Sequence, residues 1–548
     1  MKKNRKLIAL ALGMVMALTL LAACAPGTDG PPADLARPED AIGAGEEGVI
    51  EIPTTDIAAD AQFADHVTVI VDNNVLSVMN PFSPAAAGTS TNWVFTMVHD
   101  RLLNLDADGA SFNPGLALTY ETTDFQTFRL TLREGVTFHN GDAFTAADVV
   151  WTITAAQEYG LGSSAFDQWR PVQTVTAIDD FTVEIVLENV DVDFLFAMTR
   201  PMSGILNERA WRAHPDTGAH IGTGAFIIDE FISGDLVRMS RNHNWWNTDH
   251  GYEHITENVT LRFVPEMPTR TVMVQTGEAQ FSFGTPPGDM DWFMDSPDFQ
   301  VVTTTSNDPQ GLAFNLANPI TGDYYFRRAV LHALDREAIG FGAAGPWADG
   351  RMTDGTFWGY TTQFRNTNIP IIPRDLDLAR EYLERSSYNG EPVTLTTAIM
   401  TNIMASQIIQ AQLLEIGINI VLDETDSAGL GAFTMYGGTE HQMVMFFYLM
   451  TPNAGSVRHS FVPGGGQNRA NFNNPEVTAL LDEARVTVDL AQREQLYLRV
   501  QELVAEELAY TSIFWRRFGN VAANGFGGIR LNPDPASHDL RGVFYVVG

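Results

Sequence analysis

A single cysteine, Cys24, serves all 548 residues. The chain can form no intramolecular disulfide, and any zinc site in it would have to do without thiolates. The thiol also sits where no core is expected. Ahead of it come Lys2, Lys3, Arg5 and Lys6, then an apolar run from Leu7 to Leu21. That run is short for a membrane span and is flanked by charge on one side only. A charged start, an apolar middle and small residues at the end are the layout of a secretory signal.

An ordinary export signal needs small residues at its cut and no cysteine. Leu21-Ala22-Ala23-Cys24 resembles the bacterial lipobox, whose cysteine receives a diacylglyceryl group before cleavage ahead of it. Residues 1–23 are therefore expected to be a lipoprotein signal peptide and Cys24 the lipidation site. The alternative is an ordinary signal peptide with a chance cysteine. Residues 24–63, including "APGTDGPPADLARPEDAIGAGEEG", are rich in Pro, Gly, Ala and acid and cannot bury enough apolar surface to order themselves. They read as a flexible tether with a root-mean-square reach of about 35 Å.

The formal charge is −34, and removing residues 1–23, which carry four positive charges and no acid, makes it −38. All three lysines leave with that segment, so the remaining positive charges are arginines, set against 67 acids. Such a surface excludes nucleic acid as a partner, because phosphate neutralisation needs a basic patch. It equally excludes charge-driven binding to an anionic membrane, leaving attachment to the lipid. No second apolar stretch approaches membrane-spanning length. A large body of two or three domains, held at the extracytoplasmic face of the membrane, is the reading.

Ordered structure begins near "HVTVIV" (66–71), a largely buried strand. The stretch "TFRLTLREGVTFHNGDAFTAADVVWTI" (127–153) is the most informative. Phe128, Leu130 and Leu132 alternate as a strand, Gly135 breaks it, and Val136 and Phe138 begin another short one. Asn140-Gly141 is a turn, and Thr145 starts a helix with Asp148 in a capping-box relation and Val149, Val150 and Ile153 on its apolar side. "GLAFNLANPITGDYYFRRAVLHALDREAI" (311–339) reads as a strand, a loop and a helix from about Tyr325. Residues 374–385 form an amphipathic helix. Residues 405–425 form a helix, a Gly417 stop and a strand, with Ile409, Leu413 and Ile416 on the inner face. Asn474 and Pro475 open a helix as cap and first position. Helices alternating with single strands indicate α/β packing.

These segments resemble family 5 of the bacterial extracellular solute-binding proteins, which includes oligopeptide-, dipeptide- and nickel-binding components of ABC importers. "FRLTLREGVTFHNGDAFTAADVVWTI" is similar to the family's central signature. "IGTGAFIIDEF" (221–231), "RNHNWW" (241–246), "VQTGEAQF" (274–281), "FRRAVLHALDREAI" (326–339) and "LLEIGINIVL" resemble further family segments in the same order. Gln280 stands where the family usually has Asp. The resemblance implies a periplasmic-binding-protein-like α/β fold: two α/β domains joined by a two-strand hinge, plus a smaller inserted lobe, with ligand between the two α/β domains. The expected parts are domain I at 64–92, 219–308 and 517–548, the inserted lobe (domain II) at 93–218, and domain III at 309–516. The hinge crossings are expected near Thr305–Phe314 and Phe514–Val521.

Several conspicuous residues carry no chemistry. His139 lies in a turn that, in the family, supports the inserted lobe, and the twelve histidines include no HExxH. "GGGQ" (464–467) and "GFGAAGPWADG" (340–350) lack any phosphate-loop context and read as loops. "NWW" (244–246) reads as packing. No nucleophile–base set stands out, so no enzyme, cofactor or metal is expected; a secreted hydrolase or an adhesive surface lipoprotein would leave the ordered family motifs unexplained.

The segment of most functional weight is "FFYLMTPNAGSVRHSF" (446–461), where peptide-binding relatives carry an aspartate for the ligand's ammonium. Here it holds no Asp or Glu. Either an acid comes from elsewhere or the ligand is not a free-amine peptide. The expected ligand-binding residues are Phe82, Trp358, Tyr448, Thr451, Asn453, Arg458 and Trp515. Peptide is the family default, and an oligosaccharide bound on Trp358 and Trp515 is the alternative. The expected partners are that solute, ABC permease subunits and the membrane through the lipid on Cys24, with the protein a monomer.

Overall fold

The computed structural model describes residues 50–547 apart from 53–56, 58–59, 72–77, 87, 107–110, 248–251, 253–254, 306, 350–354, 399, 426–428, 431–433, 435–437, 449 and 533. Cys24 and most of the expected tether lie outside the described residues. No described helix is long and apolar enough to cross a membrane.

Alternation at 66–71 yields strand β1 (His66–Val71), with Val67, Val69 and Val71 buried. Helix α1 (Thr89–Val98) follows. Next come β2 (Ala117–Glu121) and β3 (Thr127–Leu132), helix α2 (Ala146–Tyr159), and β4 (Val172–Asp179) and β5 (Thr182–Leu187). The four strands form an antiparallel sheet ordered β2-β3-β5-β4. Phe128, Leu130 and Leu132 point from β3 into the core. The Asp148 carboxylate accepts from the Thr145 N–H at 2.9 Å and its hydroxyl at 3.3 Å, starting α2 where the capping box predicts. Gly135 and Gly141 take φ of +76° and +84°, as the turns require. The second short strand expected at Val136–Phe138 is reduced to one bridge, Thr137 to Ala143, because the turn closes at once.

The chain then returns to the first sheet through β6 (Phe226–Ile232), β7 (Leu236–Arg241) and β8 (Asn258–Phe263). Strand β8 runs parallel to β1, with Val259 opposite Val67 and Leu261 opposite Val69. Strand β9 (Phe281–Ser282) flanks β1 on its other side, and β10 (Phe299–Thr305) follows. One apolar core serves this sheet and the smaller one: Phe128, Leu130 and Val149 share it with Val67, Val69 and Val259. The inserted lobe is thus packed onto the N-terminal sheet without a core of its own.

The C-terminal lobe is built from β11 (Gln310–Phe314), α3 (Tyr324–Ala333), α4 (Arg336–Ala344), α5 (Leu376–Arg385), β12 (Val393–Thr397), α6 (Met400–Leu414), β13 (Ile420–Glu424), β14 (Met443–Phe447), α7 (Pro475–Val486) and α8 (Leu490–Glu507). Its strands are ordered β11-β14-β12-β13. Period-two alternation divides the side chains between two cores. Leu312, Phe314, Met443 and Met445 enter the core on one face, and Ala313, Val444 and Phe446 the core on the other.

Two expectations change here. The helix expected from Tyr325 through Ile339 is broken at Leu334–Asp335, where the Asp335 carboxylate caps a new helix by accepting from the Ala338 N–H at 3.0 Å. The glycine-rich stretch from Gly340, expected to be a loop, lies within α4 as far as Ala344. Gly342 faces Ile408 of α6, whose terminal methyl would have to shift to admit a Cβ.

Strand β15 (Tyr510–Ala523) joins the two sheets. Its first half pairs with β11, Tyr510 opposite Ala313 and Phe514 opposite Gln310. Its second half pairs with β10, Arg517 opposite Thr305 and Ala523 opposite Phe299. The chain therefore passes between lobes twice, side by side: once at 305–310 and once at 514–517.

Candidate functional site

The residues following β10 line the strand exchange, and their side chains are turned into the C-terminal lobe. Asn307 is fully buried. Its amide donates to the Met450 carbonyl at 3.0 Å and to the Thr362 hydroxyl at 3.1 Å, and its side-chain oxygen accepts from the Thr361 N–H at 2.9 Å. Gly359 must be glycine, because a Cβ would overlap the Asn307 amide. The adjoining Asp308, 8% exposed, accepts from the Met450 N–H at 3.0 Å. One crossing segment thus fixes two others, 359–363 and 450–453.

Thr451 and Asn453 join this cluster. The Thr362 hydroxyl donates to the Thr451 carbonyl at 2.8 Å, and the Gln363 N–H donates to the Pro452 carbonyl at 2.9 Å. The Asn453 side chain accepts from the Gly455 N–H at 2.8 Å and opens a short turn at 454–457. From the second crossing, Trp515 packs against Tyr360 with ring centroids 4.1 Å apart. The Arg365 guanidinium lies over Tyr360 at 4.6 Å and 5.8 Å from the centre of the Trp515 ring. Thr451, Asn453 and Trp515 are therefore brought together at the strand exchange, alongside Asn307, Asp308, Tyr360 and Arg365, which sequence reasoning did not single out. The one local signal was Asn307-Asp308-Pro309, a polar turn at the expected crossing.

The remaining expected residues lie elsewhere. Trp358, 0% exposed, donates its ring N–H to the Gln363 carbonyl at 3.2 Å and lies nearly parallel to Phe461 in the C-terminal core. Tyr448 is buried beside Phe446, donates to the Leu312 carbonyl at 3.2 Å, and burial pushes its phenol up. Phe82 packs edge-on against Trp151 and Trp211 in the N-terminal core. Arg458 is paired with Asp482 at 2.6 Å.

Three carboxylates reach the acid-free segment 446–461 from outside it. Asp482 neutralises Arg458. Asp193, from the loop after β5, lies against Gly455 and is ion-paired with Arg493 of α8. Asp308 binds the main chain at Met450. Beside Asp193, Asp191 is paired with Arg485 of α7 at 2.7 Å. This loop and the two helices form a seam between the inserted and C-terminal lobes.

The motifs away from the exchange are structural. His139 holds the Gly222–Gly224 segment, with its ring against the Gly224 carbonyl at 3.1 Å and its N–H on the Gly222 carbonyl at 2.9 Å. Burial lowers its pKa. The ring N–H groups of Trp245 and Trp246 converge on Asp100 at 3.2 and 2.8 Å. Among the described residues, no three His, Cys, Asp or Glu side chains are grouped to hold a metal.

Two α/β lobes are thus joined by a strand exchange with a polar cluster beside it. The family model for bacterial extracellular solute-binding proteins, family 5, matches residues 111–469. The chain belongs to that family. It is 24% identical over 507 residues to the glutathione-binding protein GsiB of Escherichia coli strain K12, covering 88% of this chain and 95% of the relative. Its fold matches the dipeptide-binding protein of Pseudoalteromonas sp. SM9913, solved with Met-Leu, with a TM-score of 0.74, 22% identity, and coverage of 88% of this chain and 100% of that one. It also matches the oligopeptide-binding protein AppA of Bacillus subtilis, solved with a nonapeptide, with a TM-score of 0.71, 18% identity, and coverage of 89% and 100%. The family member described here is thus a solute-binding component of the ABC-importer type.

Proposed function

We propose that this family 5 protein is a lipid-anchored extracytoplasmic receptor that captures a peptide between its lobes and delivers it to the permease of an ABC importer. The observation that carries the peptide reading is Asp308. A buried ammonium needs a carboxylate, since an unpaired charge in a closed cleft costs several kcal/mol. The segment that would supply one lacks it, and Asp308 brings one to the same strand exchange, bound to Met450 of that segment. Arg365 beside Tyr360 and Trp515 offers the opposite charge for a carboxylate.

The glutathione, Met-Leu and nonapeptide named for the relatives above support the same class. A sugar platform needs an exposed ring face, and Trp358 and Trp515 are 0% and 1% exposed. The ligand-contacting set is therefore Asp308, Tyr360, Arg365, Thr451 and Asn453, with Trp515, Trp358 and Tyr448 as packing behind it and Phe82 in the N-terminal core. Lobe boundaries at 308/309 and 516/517 are supported by the two crossings. The protein acts as a monomer, and the lipid on Cys24 holds it near the permease.

Calorimetry with di- to pentapeptides, their N-acetylated forms and matched α- and β-linked oligosaccharides tests the reading. Tight binding of free peptides that is lost on N-acetylation is expected. Tight sugar binding, or peptide binding indifferent to acetylation, would overturn it.

A further inference from the structure

Away from the strand exchange, the C-terminal lobe contains a cavity of about 390 Å³. This is within the usual range of small-molecule sites. Its walls include Leu331, Ile369, Ile372 and Leu508, with Arg328 and Arg336 from the consecutive helices α3 and α4. The Arg336 Nε and Nη1 donate only to main-chain carbonyls, of Ser512 at 3.2 Å and Ile372 at 2.7 Å. Its Nη2 has no hydrogen-bond partner among the described residues. Arg328 lies over Tyr382 at 4.9 Å and donates to the Tyr382 hydroxyl at 3.1 Å, while its Nε is buried without a partner.

Two acids also line the cavity, Glu502 and Glu506, but both are drawn to Arg499, at 3.1 and 3.7 Å. No carboxylate is within ion-pair distance of Arg328 or Arg336 among the described residues. Burial accordingly pushes the Arg336 guanidinium down to about 10, with no acid pulling it back. In a chain with 67 acids to 33 bases, two half-buried arginines left without acids in one cavity of mixed lining need a reason. Charges drawn partly out of water are normally paired.

We propose that this cavity is a second binding site, separate from the inter-lobe cleft, that takes a small organic carboxylate with a compact apolar body. The carboxylate lies on the open edge of Arg336 with Arg328 beside it, and the apolar body lies against the isoleucine and leucine walls. A planar guanidinium edge suits a carboxylate, and the apolar walls disfavour a hydrated phosphate. Tyr510, Thr511 and Ser512 also line the cavity, so an occupant touches the strand that continues into the exchange between the lobes.

The test is ligand-observed NMR on the full chain with benzoate, hexanoate, benzamide and inorganic phosphate as probes. Saturable binding of at least one carboxylate is expected, with benzamide and phosphate at least about tenfold weaker. Ile371→Trp fills the mouth without touching either guanidinium, and should weaken carboxylate binding about tenfold or more. Arg336→Lys should do the same; because Arg336 also ties down Ser512 and Ile372, the Ile371→Trp result decides if that variant fails to fold. Equal binding of benzoate and benzamide, preference for phosphate, no saturable carboxylate binding, or binding indifferent to Ile371→Trp would each overturn the proposal. Peptide calorimetry reads the cleft independently, so failure at one site is distinguishable from failure at the other.

Discussion

Asp193 of the inserted lobe and Arg493 of α8 form a buried ion pair across the seam with the C-terminal lobe. Burial is the largest influence on Asp193 and outweighs the pull of Arg493, raising its carboxyl from the ordinary 3.8 to about 6. The neighbouring Asp191 adds to the rise, and Arg485 opposes it. An acid whose pKa is raised in the contact binds protons that the separated state does not. Its contribution to the seam is therefore fully present below about pH 3.8 and is lost as the pH rises through about 6.

The seam should accordingly tighten as the pH falls from 7 to 5, by about 1 kcal/mol, one pKa unit being about 1.4 kcal/mol. Urea unfolding across this range compares the parent with Asp193→Asn, which cannot titrate. The parent should gain stability relative to the variant toward pH 5. Parallel slopes would show that Asp193 does not titrate at the seam. Arg493→Ala should cost about 3–5 kcal/mol at pH 7, because it leaves a buried carboxylate alone.

The Asn307 amide meets Met450, Thr362 and Thr361 from one buried position. Asn307→Ala leaves those groups without their partner, each costing about 1–3 kcal/mol if water cannot reach it. A loss of about 3 kcal/mol in urea unfolding is expected. Asn307→Asp should also destabilise, since a carboxylate cannot donate to the Met450 carbonyl.

Local features were legible in the sequence because they are set within a few residues. The Thr145–Asp148 start of α2, the Asn474 cap of α7 and the Gly417 stop after α6 rest on contacts of that kind. Resemblance to the family placed both crossings of β10, β11 and β15 close to where they lie. The site was only partly legible. Aromatic type does not reveal which way a ring faces, so Trp358 and Tyr448, which are core, looked equivalent to Trp515, which packs at the exchange. The acid serving segment 446–461 lies 142 positions from its main-chain partner, and Arg493 lies 300 positions from Asp193. No periodicity or spacing rule spans such separations.

The proposed membrane attachment rests on Leu21-Ala22-Ala23-Cys24. Cys24→Ser should abolish lipid incorporation and move the protein from the membrane fraction to the soluble one, without altering solute affinity. Unchanged fractionation with membranes would disprove lipid anchoring at this cysteine.

Charge and shape can be separated at Asp308. Asp308→Asn keeps the size and an oxygen that can still accept from the Met450 N–H, so the fold of 307–310 should survive, with unfolding stability within about 1 kcal/mol of the parent. What it removes is the negative charge. Hydrogen bonds to charged groups contribute about 1.5–3 kcal/mol and neutral ones about 1. Affinity for a free-amine peptide should therefore fall about tenfold or more, while an N-acetylated peptide, already weak, should be nearly unaffected. The double comparison isolates the ammonium–carboxylate interaction. Equal losses for the two peptides would mean that Asp308 acts through the position of Met450 alone, and that the ammonium is met by another acid.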